Sequence, residues 1–268
     1  MLIYCTGDSF TDGTGLSDSR LFEEYPGDII AGESNIPWSK KRSEIFSSNI
    51  LLFEKSRQEN LKLAWPAKIA ELTNYEVING AVSGASIVSI SMGLMHDIEK
   101  LVAQGKTPNK VFIGLTSCER VPIINTHPIE NFMPSAITNA IPNHASYVPE
   151  KYKSYCDQYW MSHTDEEMLT FYMYHCVCMH NYVYAKTGTY PVFLNTSRGI
   201  INWHLWVKNS SIFLLKEYWK ILNADRILEQ HSLEGFNSPK NTVLADGHYK
   251  ESAHLGFAQH LVKEYLDD

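Results

Sequence analysis

The stretch Leu2-Ile3-Tyr4-Cys5-Thr6-Gly7-Asp8-Ser9-Phe10 decides how the chain is read. Residues 2 to 6 form a short apolar run, and a turn signal, Gly7-Asp8-Ser9, follows at once. That combination predicts a buried first strand ending in a polar loop. In an open parallel sheet, ligands sit outside the carboxyl ends of the strands, so the first residue of interest is Ser9. A serine on a tight turn at a helix start exposes its hydroxyl for attack, and the backbone N–H groups beside it can receive a developing oxyanion.

Outward from this turn, strands and helices alternate. Pro66 suits the first turn of a helix through about Leu72, since its missing N–H is not needed there. Glu76 to Asn79 reads as a second strand. Ile87, Ile90, Leu94, Ile98, Leu101 and Val102 recur at helical spacing, with Gly105 placed for a left-handed C-terminal cap. Val111 to Leu115 reads as a third strand and Thr116 to Arg120 as its loop. Thr164 and Glu167 have capping-box spacing ahead of a long helix that Gly188 stops. Tyr190 to Asn195 reads as a fourth strand, Ser211 to Leu222 as a helix and Ala253 to Tyr265 as the last helix. The expected fold is a three-layer α/β/α sandwich of flavodoxin-like type with about five parallel strands. Residues 1–268 are read as a single domain, with insertions at 11–60, expected as a long loop carrying the basic patch Lys40-Lys41-Arg42, and at 121–163, an irregular excursion rich in proline.

A base for Ser9 is expected near the C-terminus. Asp246-Gly247-His248 places a carboxylate two residues from an imidazole just before the last helix, a pair that can take the serine proton while the carboxylate holds the tautomer. The alternative base is His254, which falls inside that helix. After the second strand, Asn79-Gly80-Ala81-Val82-Ser83-Gly84 forms another loop at the same end of the sheet.

In these three blocks the chain resembles the GDSL/SGNH hydrolase family. The resemblance implies the SGNH fold, Ser9 as nucleophile and oxyanion donor through its own N–H, Gly84 as the second oxyanion N–H, His248 as base and Asp246 as its orienting carboxylate. Ala253, His254 and Ala258 follow the family's terminal pattern. The sequence departs from the family in the third block: Thr116-Ser117-Cys118-Glu119 stands where Gly-x-Asn-Asp is usual, so Cys118 replaces the Asn donor. A thiol is a poor donor, and Ser117, Thr116 and Arg120 are the substitutes at hand. With one oxyanion donor gone, transition-state stabilisation falls by about 3 kcal/mol. This version of the motifs resembles a divergent branch of phage and marine bacterial proteins. The implied activity is hydrolysis of short acyl esters, O-acetyl groups on carbohydrate included, through an acyl-enzyme and with no cofactor. Two other activities are open: a weakened carbohydrate-binding or virion structural protein on the same fold, and an O-acyltransferase.

Composition excludes other classes. The 268 residues carry a net charge of −7 and no long basic run, so a nucleic-acid or anionic-membrane partner has no electrostatic footprint. Five cysteines at irregular spacing, Cys5, Cys118, Cys156, Cys176 and Cys178, argue for free thiols rather than a disulfide framework. No stretch approaches about 18 apolar residues, and no signal-like segment opens the sequence, so the expectation is cytoplasmic synthesis, with virion association or release by lysis open. His175, Cys176, Cys178 and His180 resemble a metal set, but residues two apart on a helix face different ways, so no metal is expected. Asp8 is read as structural and Arg120 as a brace to an internal carboxylate, while Tyr155, Tyr159, Trp160, Tyr172 and Tyr174 are divided between core and sugar stacking.

Overall fold

A computed structural model describes residues 1–30, 36–118, 120–124, 137–140, 150–196, 203–224, 227, 232–236, 242–244 and 248–266. The central sheet is parallel. Its strands are β1 (Leu2–Thr6), flanked on one side by Glu76–Asn79 and on the other by Lys110–Gly114, with Val192–Leu194 outermost. In chain order these strands lie 2-1-3-4, the flavodoxin-like order with four strands in place of the expected five among the described residues. The third begins one residue earlier than the apolar run suggested because Lys110 already pairs with Ile3.

Alternation along β1 sends its side chains to two cores. Tyr4 joins Val111 and Ile113 beneath the helices Ile87–Ala103, Asp165–Thr187 and Phe213–Ile221. Ile3, Cys5 and Phe112 face the other way, against Trp65–Thr73 and Glu251–Tyr265. Helices therefore cover both faces of the sheet, as the three-layer reading requires. The long helix starts at a complete capping box, in which the Thr164 hydroxyl accepts the Glu167 N–H and the Glu167 carboxylate accepts that of Thr164, and it ends at Gly188 with φ of 75°.

The two segments read as insertions are more ordered than expected. Between residues 11 and 60 the structure has a one-turn helix α1 (Ser9–Asp12), α2 (Asp18–Leu21), a short strand β2 (Ile29–Ile30), α3 (Ile36–Ser48) and α4 (Ile50–Leu63) in place of a long loop. Helices α3 and α4 have no sustained apolar stripe, so periodicity could not reveal them; α4 starts at an Asn49 cap whose side chain accepts the Leu52 N–H. From the basic patch, Arg42 pairs with the buried Asp18 at 2.9 Å and Lys41 pairs with Glu24. In 121–163, Val121–Ile124 and Ile137–Ala140 form an antiparallel pair and Glu150–Ser162 forms a helix, α7 once α5 (Trp65–Thr73) and α6 (Ile87–Ala103) are numbered, where an irregular excursion had been read. A helix at Trp203–Asn209 was not anticipated, and Thr242–Val243 pairs antiparallel with β2. Among the described residues no helix is long and apolar enough to cross a membrane.

Candidate active site

Three loops meet at the carboxyl ends of β1 and its neighbours, where the strand order reverses. The first is the Ser9 turn. Gly7 leaves β1 so close to the next strand that a Cβ would strike the Thr11 side chain and lie 3.0 Å from the Gly114 carbonyl. Asp8, fully buried, caps α1 by accepting the Phe10 N–H at 3.1 Å. Ser9 is then the first helical residue and keeps 5% exposure, and the turn closes at Gly13 with φ of 79°.

Asp8 also ties the third loop to the first. Its carboxylate accepts the Thr116 hydroxyl at 3.0 Å and pairs with Arg120 at 3.3 Å. Arg120 donates in turn to the Ala85 carbonyl at 2.9 Å, which brings in the second loop, and the Val82 N–H donates to the Gly7 carbonyl at 3.1 Å. Arg120 is thus the brace that the sequence reading expected. Tyr172 clamps the third loop from below, accepting the Thr116 N–H and donating to the Thr116 carbonyl. Burial pushes its phenol well above the ordinary range, so it stays a donor, and it belongs to the core rather than to a sugar platform. Thr116 and Arg120 are therefore committed to this framework, while Cys118, 8% exposed, and the half-buried Ser117 complete the loop. Gly84 sits in the turn before α6 at φ of 77°, where a side chain would be strained.

The two histidines near the C-terminus occupy different environments. The His248 ring lies half-buried against Phe10, the residue after Ser9, with ring centroids 5.0 Å apart. His254 is 1% exposed, and its Nδ1 accepts the Trp65 N–H at 3.1 Å. Burial above all, with positive charge from His248 and Lys68, pushes its pKa down to about 3, so it is a neutral structural acceptor. Asp246 lies outside the described residues, as does Glu119.

One carboxylate in this region was not singled out from the sequence. Asp12 ends the turn that Ser9 begins and is 3% exposed. Burial raises its pKa to about 6 against the opposing pull of Arg57, the Thr14 hydroxyl, His248 and Arg42. The signal for it was present, since three residues after Ser9 is the next position on the same side of a helical turn, but reading residues 11 onward as loop removed that geometry. A cavity of about 490 Å³ lies beside these loops, with Gly7, Asn79, Gly80, Val82, Ala85 and Arg57 among its walls.

The metal-like set on Asp165–Thr187 is dispersed: Cys176 is core, His180 stacks on Tyr190 at 4.4 Å and His175 meets Phe171 edge-on. All five thiols are free. Of the aromatic candidates, Tyr155 and Tyr174 are half exposed, and Tyr159 stacks on His163 at 4.4 Å.

No family model and no curated protein matches the chain. Among solved structures it is similar to a carbohydrate esterase whose active site displays divergent catalytic and non-catalytic binding functions, at 15% identity and a TM-score of 0.49, covering 100% of this chain and 68% of that one. It is similar to a carbohydrate esterase family 2 enzyme with a carbohydrate-binding domain from Corynascus thermopiles (Myceliophthora fergusii), at 11% identity and a TM-score of 0.48, covering 98% of this chain and 64% of that one. A protein assigned to the G-D-S-L family from Desulfitobacterium hafniense DCB-2 is similar at 14% identity and a TM-score of 0.42, with 98% of both chains covered. At these identities the chemistry of the site stands on its own residues.

Proposed function

We propose that the chain is a serine esterase of the GDSL/SGNH type, with Ser9 as nucleophile and His248 as general base. The observation that carries this reading is the contact of the His248 ring with Phe10, beside a Ser9 held at the head of a braced turn, while the competing imidazole, His254, is occupied by the Trp65 N–H. Ser9 Oγ attacks the ester carbonyl as its proton passes to His248, which returns it to the departing alcohol; water then resolves the acyl-enzyme by the same route. The Ser9 and Gly84 N–H groups receive the oxyanion, Ser117 and Cys118 border it, and Asp246 orients His248. Residues 1–268 act as one hydrolase domain, the helices of 11–60 and 121–163 being its insertions.

Short acyl esters on carbohydrate are the favoured substrates. What supports this is an aromatic face on α7, where Tyr155 and Tyr159 stand one turn apart and His163, just past the helix end, stacks on Tyr159; Tyr159 senses Cys118 electrostatically, which brings the stripe near the site. A second reading, a binding protein with little turnover, is favoured by one observation only: a buried thiol, Cys118, at the place of a usual oxyanion donor. Turnover of nitrophenyl acetate separates the two. Ser9→Ala is expected to remove activity by a factor of about 10³ or more; equal rates for wild type and variant would end the esterase reading.

A further inference from the structure

The framework of the Ser9 turn uses Asp8 and leaves Asp12, equally buried, without a part in it. Asp12 Oδ2 accepts the Thr14 hydroxyl at 3.0 Å. Its Oδ1 has no hydrogen-bond donor among the described residues, and the Arg57 guanidinium stands off at 3.9 Å. A buried carboxylate oxygen so placed carries a desolvation cost that a purely structural residue would not be expected to bear.

Asp12 stands one turn after Ser9, on a turn whose other residues pack toward the His248 loop. Two residues before it, the Phe10 ring packs on His248 at 5.0 Å and on Tyr249 at 5.3 Å. One residue after it, Gly13 is pressed so closely that a Cβ would lie 2.8 Å from Ala64 Cβ and 2.9 Å from Leu16 Cδ1. Leu16 and Ala64 cluster with Leu244, whose N–H donates to the His248 carbonyl at 2.8 Å. The turn that carries Asp12 therefore packs on the His248 loop or on residues that loop rests on, and within it the His248 charge acts on the Asp12 carboxyl. The other charged groups around the pair are Arg57 on α4, Arg42 on α3 and, behind His248, His254 on the terminal helix with Lys68 on α5.

We propose that Asp12 is a positioning residue for His248: a carboxylate carried one turn after the nucleophile, which stabilises the imidazolium formed when the Ser9 proton moves to His248. This rests on the esterase reading for its consequence. The bond that forms is Ser9 Oγ to the acyl carbon, the proton stays on His248 until the alcohol leaves with it, and Asp12 bears the compensating charge without taking the proton. Catalysis would then not depend on the Asp-x-His carboxylate alone.

The test reads His248 directly and needs no ester. Nitrogen-detected NMR titration of His248 in the full chain is expected to show its midpoint falling by about one pH unit in Asp12→Asn, because an adjacent negative charge has been removed. Asp12→Glu is expected to restore most of the shift. Nitrophenyl acetate kinetics should show kcat lower by about a hundredfold in Asp12→Asn with KM little changed. An unmoved His248 midpoint in a folded Asp12→Asn overturns the proposal, whatever Asp246→Asn does. If Asp12→Asn does not fold, the wild-type Asp12 carboxyl carbon serves instead: a second inflection at the His248 midpoint supports the proposal, and a single inflection overturns it. Failure of the esterase reading would show separately, as turnover that survives Ser9→Ala.

Discussion

Asp8 and Asp12 flank Ser9 at a similar depth and in opposite circumstances. Asp8 is satisfied on every side, by the Phe10 N–H, the Thr116 hydroxyl and Arg120, and through Arg120 it reaches Ala85. Asp12 has one hydroxyl, a distant guanidinium and a histidine whose charge it senses. Burial costs both carboxylates their hydration, but only Asp8 recovers it in hydrogen bonds. The difference separates a region built to hold a shape from one that keeps charge available, and it is expected to show in how each side responds to pH and substitution.

The largest effect belongs to the second region. His254, buried there as a neutral acceptor, has a folded pKa of about 3 against an unfolded value of 6.5. Its contribution is present above pH 6.5 and is lost as pH falls toward 3, on the order of 5 kcal/mol in all. Urea unfolding at stepped pH should show this loss in wild type and not in His254→Gln; equal slopes would remove His254 from the account. On the other side, Asp8→Ala leaves Arg120 buried without its ion-pair partner, and a loss of about 3–5 kcal/mol is expected. A loss below about 1 kcal/mol would mean that the three loops hold together without Asp8.

Asp12 should behave in the reverse sense to His254. Its folded pKa of about 6 exceeds the ordinary 3.8, so the neutral form suits the fold, and stability is lost as pH rises through that window. Asp12→Asn is therefore expected to unfold at higher urea than wild type at pH 8, by up to about 3 kcal/mol, and to match it below pH 4. A more stable but slower variant would sharpen the contrast, since natural sites often trade stability for function. The smallest effect is Arg120→Lys, which keeps the charge beside Asp8 but cannot span both Asp8 and Ala85; about 1 kcal/mol is expected by thermal unfolding.

Much of this architecture was legible in local sequence. Leu2–Thr6, Glu76–Asn79, the helix bearing Ile87 to Leu101 and the capping box at Thr164 all announce themselves by apolar spacing or end signals, and each stands within a residue or so of its expected place. Helices α3 and α4 did not, because they carry no regular apolar stripe, and a helix held by Asn49, Trp38 and scattered ion pairs leaves little trace in periodicity. A fifth strand was expected from the general form of such sheets, and the described residues hold four.

For the site, the sequence by itself pointed to Ser9, from its turn at a strand end, and to Arg120 as a brace, while Gly84 came from the resemblance to the GDSL/SGNH family. Only the tertiary structure set the two histidines apart by their surroundings and brought out Asp12. Both depend on contacts across long spans of chain, His254 with Trp65 and Phe10 with His248, and on burial, which sets whether a carboxyl or an imidazole carries charge. Spacing along the chain records which residues share a local element; it does not record which distant element removes their water.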